Sequence, residues 1–431
     1  MHSVTVIPVK NVQGHIRIPG DKSISHRLAM IGAIAEGPTI IRGFAESADC
    51  QSTLGCLRRL GIPINRSGSD GSTVQIDGKG LDGLTPPREA LDAGNSGSTV
   101  RMLSGILAGR PFASTFIGDH SLSRRPMKRI IEPLERFGCS FRAREGNYLP
   151  LMVSGGSLKA IDYTLPIASA QVKSAILLAG LQAQGTTRVT EPAPSRNHTE
   201  LALAAFGATL RRDGPAIEIE GGQRLRGGEF DTPGDLSSAA FPIAAAAGVP
   251  GSHLELPGVG VNVTRSGFLT LIEQMGARVR MENVRRSGEE PVADLIIEGT
   301  ELDGAEVAGA MVPNVIDEIP VLAALALRTR RGIRFRDAAE LRAKESDRIR
   351  SVVTNLTALG LSAEEFPDGF YVPGGQTPRA GAVDSFGDHR IAMAFAVAGL
   401  FAEGPVTIQN ADCVGISFPG FFGTLEDIVV R

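Results

Sequence analysis

Carboxylates set among lysines and arginines are the residues of this chain best suited to chemistry. Asp317 and Glu318 open an apolar run, and Glu345 and Asp347 lie inside LysGluSerAspArg (344–348). Cations recur at comparable places: Lys22, Arg27, Arg101, Lys173 and Arg390 beside apolar runs, and Arg124, Arg125, Lys128, Arg196, Arg265, Lys344 and Arg348 at the heads of amphipathic segments. A carboxylate beside several cations can act as a general base, and a second one nearby can move a proton elsewhere on the same substrate. Guanidinium forks and point-charge lysines are the groups that hold phosphates and carboxylates. An isolated Asp at a helix start is usually a cap, and an isolated Arg on an amphipathic helix is usually solvated. Recurrence at equivalent positions favours the chemical reading: acid–base work on polyanions without a metal.

The elements that must position these residues repeat six times. A polar, turn-like start runs into an Ala/Leu/Ile-rich stretch near Asp21, Asn95, Ser169, Asp235, Asp317 and Asp388, at intervals of 66 to 82 residues. Each reads as a buried helix with an Asp, Asn or Ser at its N-cap. A second, amphipathic helix follows each of the first five and closes at Gly61, Gly138, Gly207, Gly276 or Gly360, where a left-handed C-terminal residue belongs. Alternating stretches such as 73–77, 216–220 and 294–298 then read as strands. Units that cannot bury two faces alone should pack in groups, and two groups of three is the economical arrangement. Buried helices lying parallel within a group would converge their N-termini, which favour anions.

Composition narrows the classes. The chain has 431 residues, 42% hydrophobic but only 5% aromatic with no Trp, so an aliphatic core packed around 52 glycines is expected. A net charge of −3 argues against a whole-surface nucleic-acid or anionic-membrane binder. Cys50, Cys56, Cys139 and Cys413 form no C-x-x-C pair and the seven histidines show no ligand spacing, so neither a metal nor a disulfide framework is expected. With no signal-like start and no apolar run of spanning length, a cytoplasmic setting is expected. No Walker or dinucleotide motif is complete, and no cofactor is indicated.

GlyAspLysSerIleSerHisArg (20–27), GlyAsnSerGlySerThrValArg (94–101), SerAlaGlnValLys (169–173), LysGluSerAspArg (344–348) and GlyAspHisArg (387–390) together resemble the 5-enolpyruvylshikimate-3-phosphate synthase family, and SerAlaGlnValLys with SerPheProGlyPhe is similar to its class II branch. The resemblance implies an α/β (α+β) enolpyruvyl transferase fold: two domains of three βαβαββ units each in pseudo-threefold arrangement, with the active site in the cleft between them. Residues 1–20 with 235–431 would form the domain carrying both termini, and 21–234 the second. The implied reaction transfers the enolpyruvyl group of phosphoenolpyruvate to the 5-hydroxyl of shikimate 3-phosphate and releases phosphate through a tetrahedral intermediate. By motif, Lys22, Ser23, Arg27, Ser169, Gln171, Arg196, Asp317 and Lys344 would bind shikimate 3-phosphate. Lys22, Gly97, Arg125, Gln171, Arg348 and Arg390 would line the phosphoenolpyruvate pocket. Asp317, Glu345 and Lys22 would be catalytic, with Asp317 taking the 5-hydroxyl proton and Glu345 handling the proton at the enolpyruvyl methylene. The resemblance further implies a monomer, with glyphosate as an inhibitor.

One position departs from the class I pattern: Ile416 stands before SerPhePro where class I members carry Lys, and no role is assigned to it. The UDP-N-acetylglucosamine enolpyruvyl transferases share the implied fold and donor. They carry Asn after the first Lys and commonly a reactive loop Cys, whereas here Ser23 follows Lys22 and 116–125 contains no Cys. A catalytically silent anion binder is the reading from another class, and two acids among the cations argue against it, since bare anion binding gains nothing from negative charge.

Overall fold

Asp21 accepts a hydrogen bond from the Ile24 N–H at 2.8 Å, and the first core helix, Lys22–Ile34, starts there. The computed structural model describes residues 2–68 and 71–431. The other core helices are Gly97–Leu107, Ala170–Gly180, Leu236–Ala247, Ile319–Ala326 and His389–Leu400. Ser96, Ser169, Asp235 and Asp388 cap four of them by accepting from Thr99, Val172, Ser237 and Arg390 N–H groups, which satisfies a donor that would otherwise be orphaned. Buried residues run all round these helices, including every residue of Leu236–Ala247 and of His389–Leu400.

Two starts differ from the sequence reading. Ser96, not Asn95, is the cap of the second core helix. Asn95 instead accepts from Arg125 through its side-chain oxygen and donates to Asp119. The fifth core helix has no side-chain cap: Glu318 occupies the cap position, Pro320 sits in the first turn without an N–H to offer, and the preceding short helix enters at a bend of 104°. Asp317 therefore belongs to the bend.

Amphipathic helices follow the first five core helices, at Ala48–Arg59, Lys128–Arg136, His198–Ala205, Gly267–Gln274 and Arg348–Ala358. Gly61, Gly138, Gly207, Gly276 and Gly360 end them at φ of +86°, +108°, +93°, +103° and +77°. That backbone region costs any residue with a Cβ, which is why glycine recurs there. In the sixth unit a 3-10 turn, Ala411–Ile416, leads into a shorter helix, Phe421–Glu426.

Each unit's strands form their own small sheet. In the clearest case Leu91–Asp92 pairs parallel with Ala113–Ile117 across the core helix between them, and Tyr148–Ser154 and Ser140–Arg144 complete the sheet antiparallel. The same order recurs at Asp162–Thr164, Thr186–Thr190, Ala216–Glu220 and Leu210–Asp213, and at Ala305–Val307, Ile333–Phe335, Gly369–Val372 and Glu364–Phe366. The remaining three sheets borrow strands from distant sequence. Glu229–Asp231 pairs with Glu36–Arg42, Asn11–His15 with His253–Gly260, and Val4–Val6 with Val406–Gln409.

The chain divides into two compact units. One comprises Met1–Pro19, Pro233–Arg285 and Pro291–Arg431; the other comprises Gly20–Thr232 with Arg286–Glu290. Each has its own continuous aliphatic core, built on its three core helices. The segment Arg286–Glu290 differs from the sequence reading, which left it with the C-terminal half. Its grouping is carried by contacts such as His198 Nδ1 to Glu290 at 2.7 Å and Ser287 Oγ donating to the Asp231 carbonyl, also at 2.7 Å. No single helix among the described residues is long and apolar enough to cross a membrane.

Candidate active site

In the Gly20–Thr232 unit the polar residues gather where the three core helices begin. Lys22 Nζ lies 3.0 Å from the Asp49 carboxylate, so its ammonium is placed by an acid from the following helix. Arg27, one turn further along, is almost fully buried. Its guanidinium donates to Thr199 Oγ1 at 2.7 Å, to the Ser23 carbonyl at 2.9 Å and to Ser174 Oγ at 3.1 Å. Burial draws its pKa down to about 10 against the pull of Glu200, and it remains a cation at neutral pH. Arg196, half-buried at the head of the neighbouring helix, acts on Arg27 as a second positive charge. Ser23 and Ser169 are half-buried at the starts of the first and third core helices.

Gln171 and the second core helix are joined by two hydrogen bonds. Arg101 Nη1 donates to the Gln171 side-chain oxygen at 2.7 Å, and the Gln171 amide donates to Ser98 Oγ at 3.0 Å. Arg125 is held by Asn95 and Ser121. Gly97 lies between the two arginines: a Cβ there would meet Arg101 Nη1 at 2.9 Å and Arg125 Nη1 at 3.7 Å. Gly97, Arg125 and Gln171 thus share a neighbourhood, and Arg101, which the family motifs did not place there, joins them.

Lys173 departs from the anion-binding pattern read from sequence. Its side chain is fully buried and its ammonium lies 3.0 Å from Glu191 and 2.8 Å from Glu200. Two internal carboxylates already serve it, so it braces the third core helix against the segment that carries Arg196.

The other unit holds the acids. Asp317 lies within 3.4 Å of Arg265 Nη1, 3.5 Å of Arg348 Nη1 and 3.9 Å of Lys344 Nζ, and its main-chain carbonyl accepts from Arg390 at 2.9 Å. Arg348 is 1% exposed: Nε donates to Asp388 at 2.8 Å and Nη2 to Glu345 at 2.7 Å, while Nη1 has no hydrogen-bond partner among the described residues. Burial opposes its charge, but Asp388, Glu345 and Asp317 more than compensate and raise its pKa. Burial likewise opposes the Asp388 carboxylate, and Arg348 holds its pKa below the usual range. The four acids split by access. Asp388 and Glu318 have side chains 0% and 2% exposed, whereas Asp317 and Glu345 are 16% and 19% exposed. Of these four the latter pair is open to solvent; Asp347, though 33% exposed, is paired with Arg342 and caps the Arg348–Ala358 helix.

The arrangement suits polyanions and proton transfer, and it offers no nucleophilic thiol. Burial pushes Cys50, Cys56 and Cys139 up to about 12 and Cys413 up to about 11. Sequence reasoning missed Asp49, Glu191 and Glu200 as partners of Lys22 and Lys173. The one available signal was Lys173 itself, a lysine inside an otherwise apolar helix, which requires an acid from elsewhere.

Known proteins match the whole chain. The family model described as EPSP synthase (3-phosphoshikimate 1-carboxyvinyltransferase) matches residues 6–425. A 3-phosphoshikimate 1-carboxyvinyltransferase of Solibacter usitatus is 53% identical over 423 residues, covering 98% of this chain and 99% of that protein. One of Desulforamulus reducens is 49% identical over 430 residues, covering 99% of this chain and all of that protein. Among solved structures, an EPSP synthase from Acinetobacter baumannii superposes with a TM-score of 0.89 at 42% identity, covering 100% of this chain and 99% of that one.

Proposed function

The chain belongs to the EPSP synthase family, and from that premise we propose how its own residues carry out the family's reaction. It transfers the enolpyruvyl group of phosphoenolpyruvate to the 5-hydroxyl of shikimate 3-phosphate, releasing phosphate, in the pathway that leads to the aromatic amino acids.

Each substrate brings a phosphate of about −1.5 to −2 charge near neutral pH, and a carboxylate besides. Arg27, Arg196 and Lys22, with Ser23, Ser169 and Gln171, hold shikimate 3-phosphate, with Lys344 as a further contact. Arg125, Arg348 and Arg390 hold phosphoenolpyruvate, with Lys22 and Gln171 reaching both substrates and Gly97 leaving room. Asp317 takes the proton of the 5-hydroxyl as its oxygen bonds to C2 of phosphoenolpyruvate, while Glu345 in its protonated form gives its proton to C3 and the tetrahedral intermediate forms. The C2–O bond to phosphate then breaks, phosphate leaves, and Glu345 removes a proton from C3 to regenerate the double bond. The observation that carries these roles is the split among the acids: Asp317 and Glu345 are the accessible ones, and both contact the buried Arg348.

The enzyme acts as a monomer in the cytoplasm, a setting in which four unpaired thiols persist, and glyphosate competes at the phosphoenolpyruvate pocket. Ile416, half-buried at the end of its 3-10 turn, leaves that pocket without the lysine class I members have there. The deciding experiment measures phosphate release from phosphoenolpyruvate with shikimate 3-phosphate in one reaction and UDP-N-acetylglucosamine in another. Release with the first alone is expected. Release with the second alone would assign the rival acceptor, and bound substrates without release would leave a silent binder.

A further inference from the structure

We propose that Glu318 is a positioning residue that sets the base strength of Asp317 through the two arginines they share. Glu318 is buried, and it is spent on neither of the duties its place suggests. It does not cap the helix that begins after it, and one of its carboxylate oxygens has no hydrogen-bond partner. The other oxygen accepts from Ser237 Oγ, in the first turn of another core helix, and lies 3.7 Å from Arg265 Nη1 and 3.8 Å from Arg390 Nη1.

Those same two arginines hold Asp317. Arg265 Nη1 reaches the Asp317 carboxylate at 3.4 Å, and Arg390 Nη1 donates to its main-chain carbonyl at 2.9 Å. Arg265 also faces Asp235 at 3.8 Å, while Lys344 and Arg348 face Asp317 from the other side. A unit negative charge on Glu318 does two things to its neighbour, both of the same sign. It repels the Asp317 carboxylate directly, and it draws Arg265 away from full engagement with that carboxylate. Three cations beside the carboxylate, Arg265, Arg348 and Lys344, with Arg390 on the carbonyl of the same residue, would otherwise leave it too weak a base to take a hydroxyl proton. Glu318, kept out of water, weakens their hold.

The inference rests on Asp317 being the general base, so the test separates the two. Asp317→Ala is expected to cut turnover far more than it weakens shikimate 3-phosphate binding. Comparable losses in both would overturn the base reading, and this proposal with it. Given that result, Glu318→Gln keeps the shape and the Ser237 contact while removing the charge. Its turnover on the plateau should fall about tenfold, and the acidic limb of its turnover–pH profile should move about one unit toward lower pH, because a base freed of a neighbouring anion ionises more easily. Glu318→Asp restores the charge and should bring the limb back. An acidic limb that stays in place in Glu318→Gln while turnover and thermal midpoint fall together would make Glu318 merely structural and sink the proposal. Unchanged turnover and an unchanged limb would sink it equally.

Discussion

An alanine at position 97 would bring its methyl to 2.9 Å from Arg101 Nη1 and 3.7 Å from Arg125 Nη1, so the flexible end of Arg101 must yield. Arg101 is the donor that holds the Gln171 oxygen, which makes the cost local to the phosphoenolpyruvate pocket proposed above. Gly97→Ala is expected to weaken glyphosate, the longer occupant, more than phosphoenolpyruvate. Inhibition constants and KM measured on one preparation check it, and equal changes in both would refute it. Residue type carried this much because a missing side chain and two arginines nearby act over a few ångströms. Lys173 shows the limit: the same charge in the same kind of helix start turned out to be paired with Glu191 and Glu200.

At the scale of elements, the glycine that ends each amphipathic helix acts through its backbone alone. Gly207 has φ of +93°, and a Cβ built on it would meet nothing within 4 Å. Gly207→Ala is therefore expected to destabilise the protein by about 1–2 kcal/mol, the cost of holding an L-residue in that region, with no packing term. Chemical denaturation of the two proteins measures it, and a loss near zero would mean the helix end can refold into another conformation. The helix starts were legible for a similar local reason. A cap is a bond between a side chain and an N–H two or three residues on, as Asp21 to Ile24 and Asp388 to Arg390 illustrate. Asp317 was misread as the cap of the fifth core helix because the sharp bend before that helix and Pro320 in its first turn replace the cap, and the bend is a tertiary decision.

For the molecule as a whole, two cores with different titrating groups should answer acid differently. His26, in the Gly20–Thr232 unit, is buried against Thr53, and burial, then the charges of Lys22 and Arg27, hold its pKa well below the ordinary value. Below about pH 6.5 the unfolded chain binds a proton there that the folded chain refuses, so stability falls as pH drops, by up to about 1.4 kcal/mol per pH unit. Asp388, in the other unit, has its pKa lowered. Its contribution is present above the unfolded carboxylate value of about 3.9 and is lost only as pH falls through the folded one. Calorimetry is expected to show the Gly20–Thr232 unit unfolding at lower temperature at pH 5.5 than at pH 7.5. His26→Gln should flatten that dependence, and an equally steep dependence in the variant would assign it elsewhere.

The sequence by itself determined what is local or periodic: six apolar helices, most of their caps, the five left-handed glycines, and the motifs that carry the family resemblance. These depend on bonds across a few residues or on spacing, and both are written along the chain. Tertiary structure alone decided which distant strands complete a sheet, as when Val4–Val6 pairs with Val406–Gln409, and that Arg286–Glu290 groups with the Gly20–Thr232 unit. It also decided which cations are already neutralised inside the protein and which acids stay reachable. Pairing and burial are properties of segments hundreds of residues apart, and a charge shows its availability only when its neighbours in space are known.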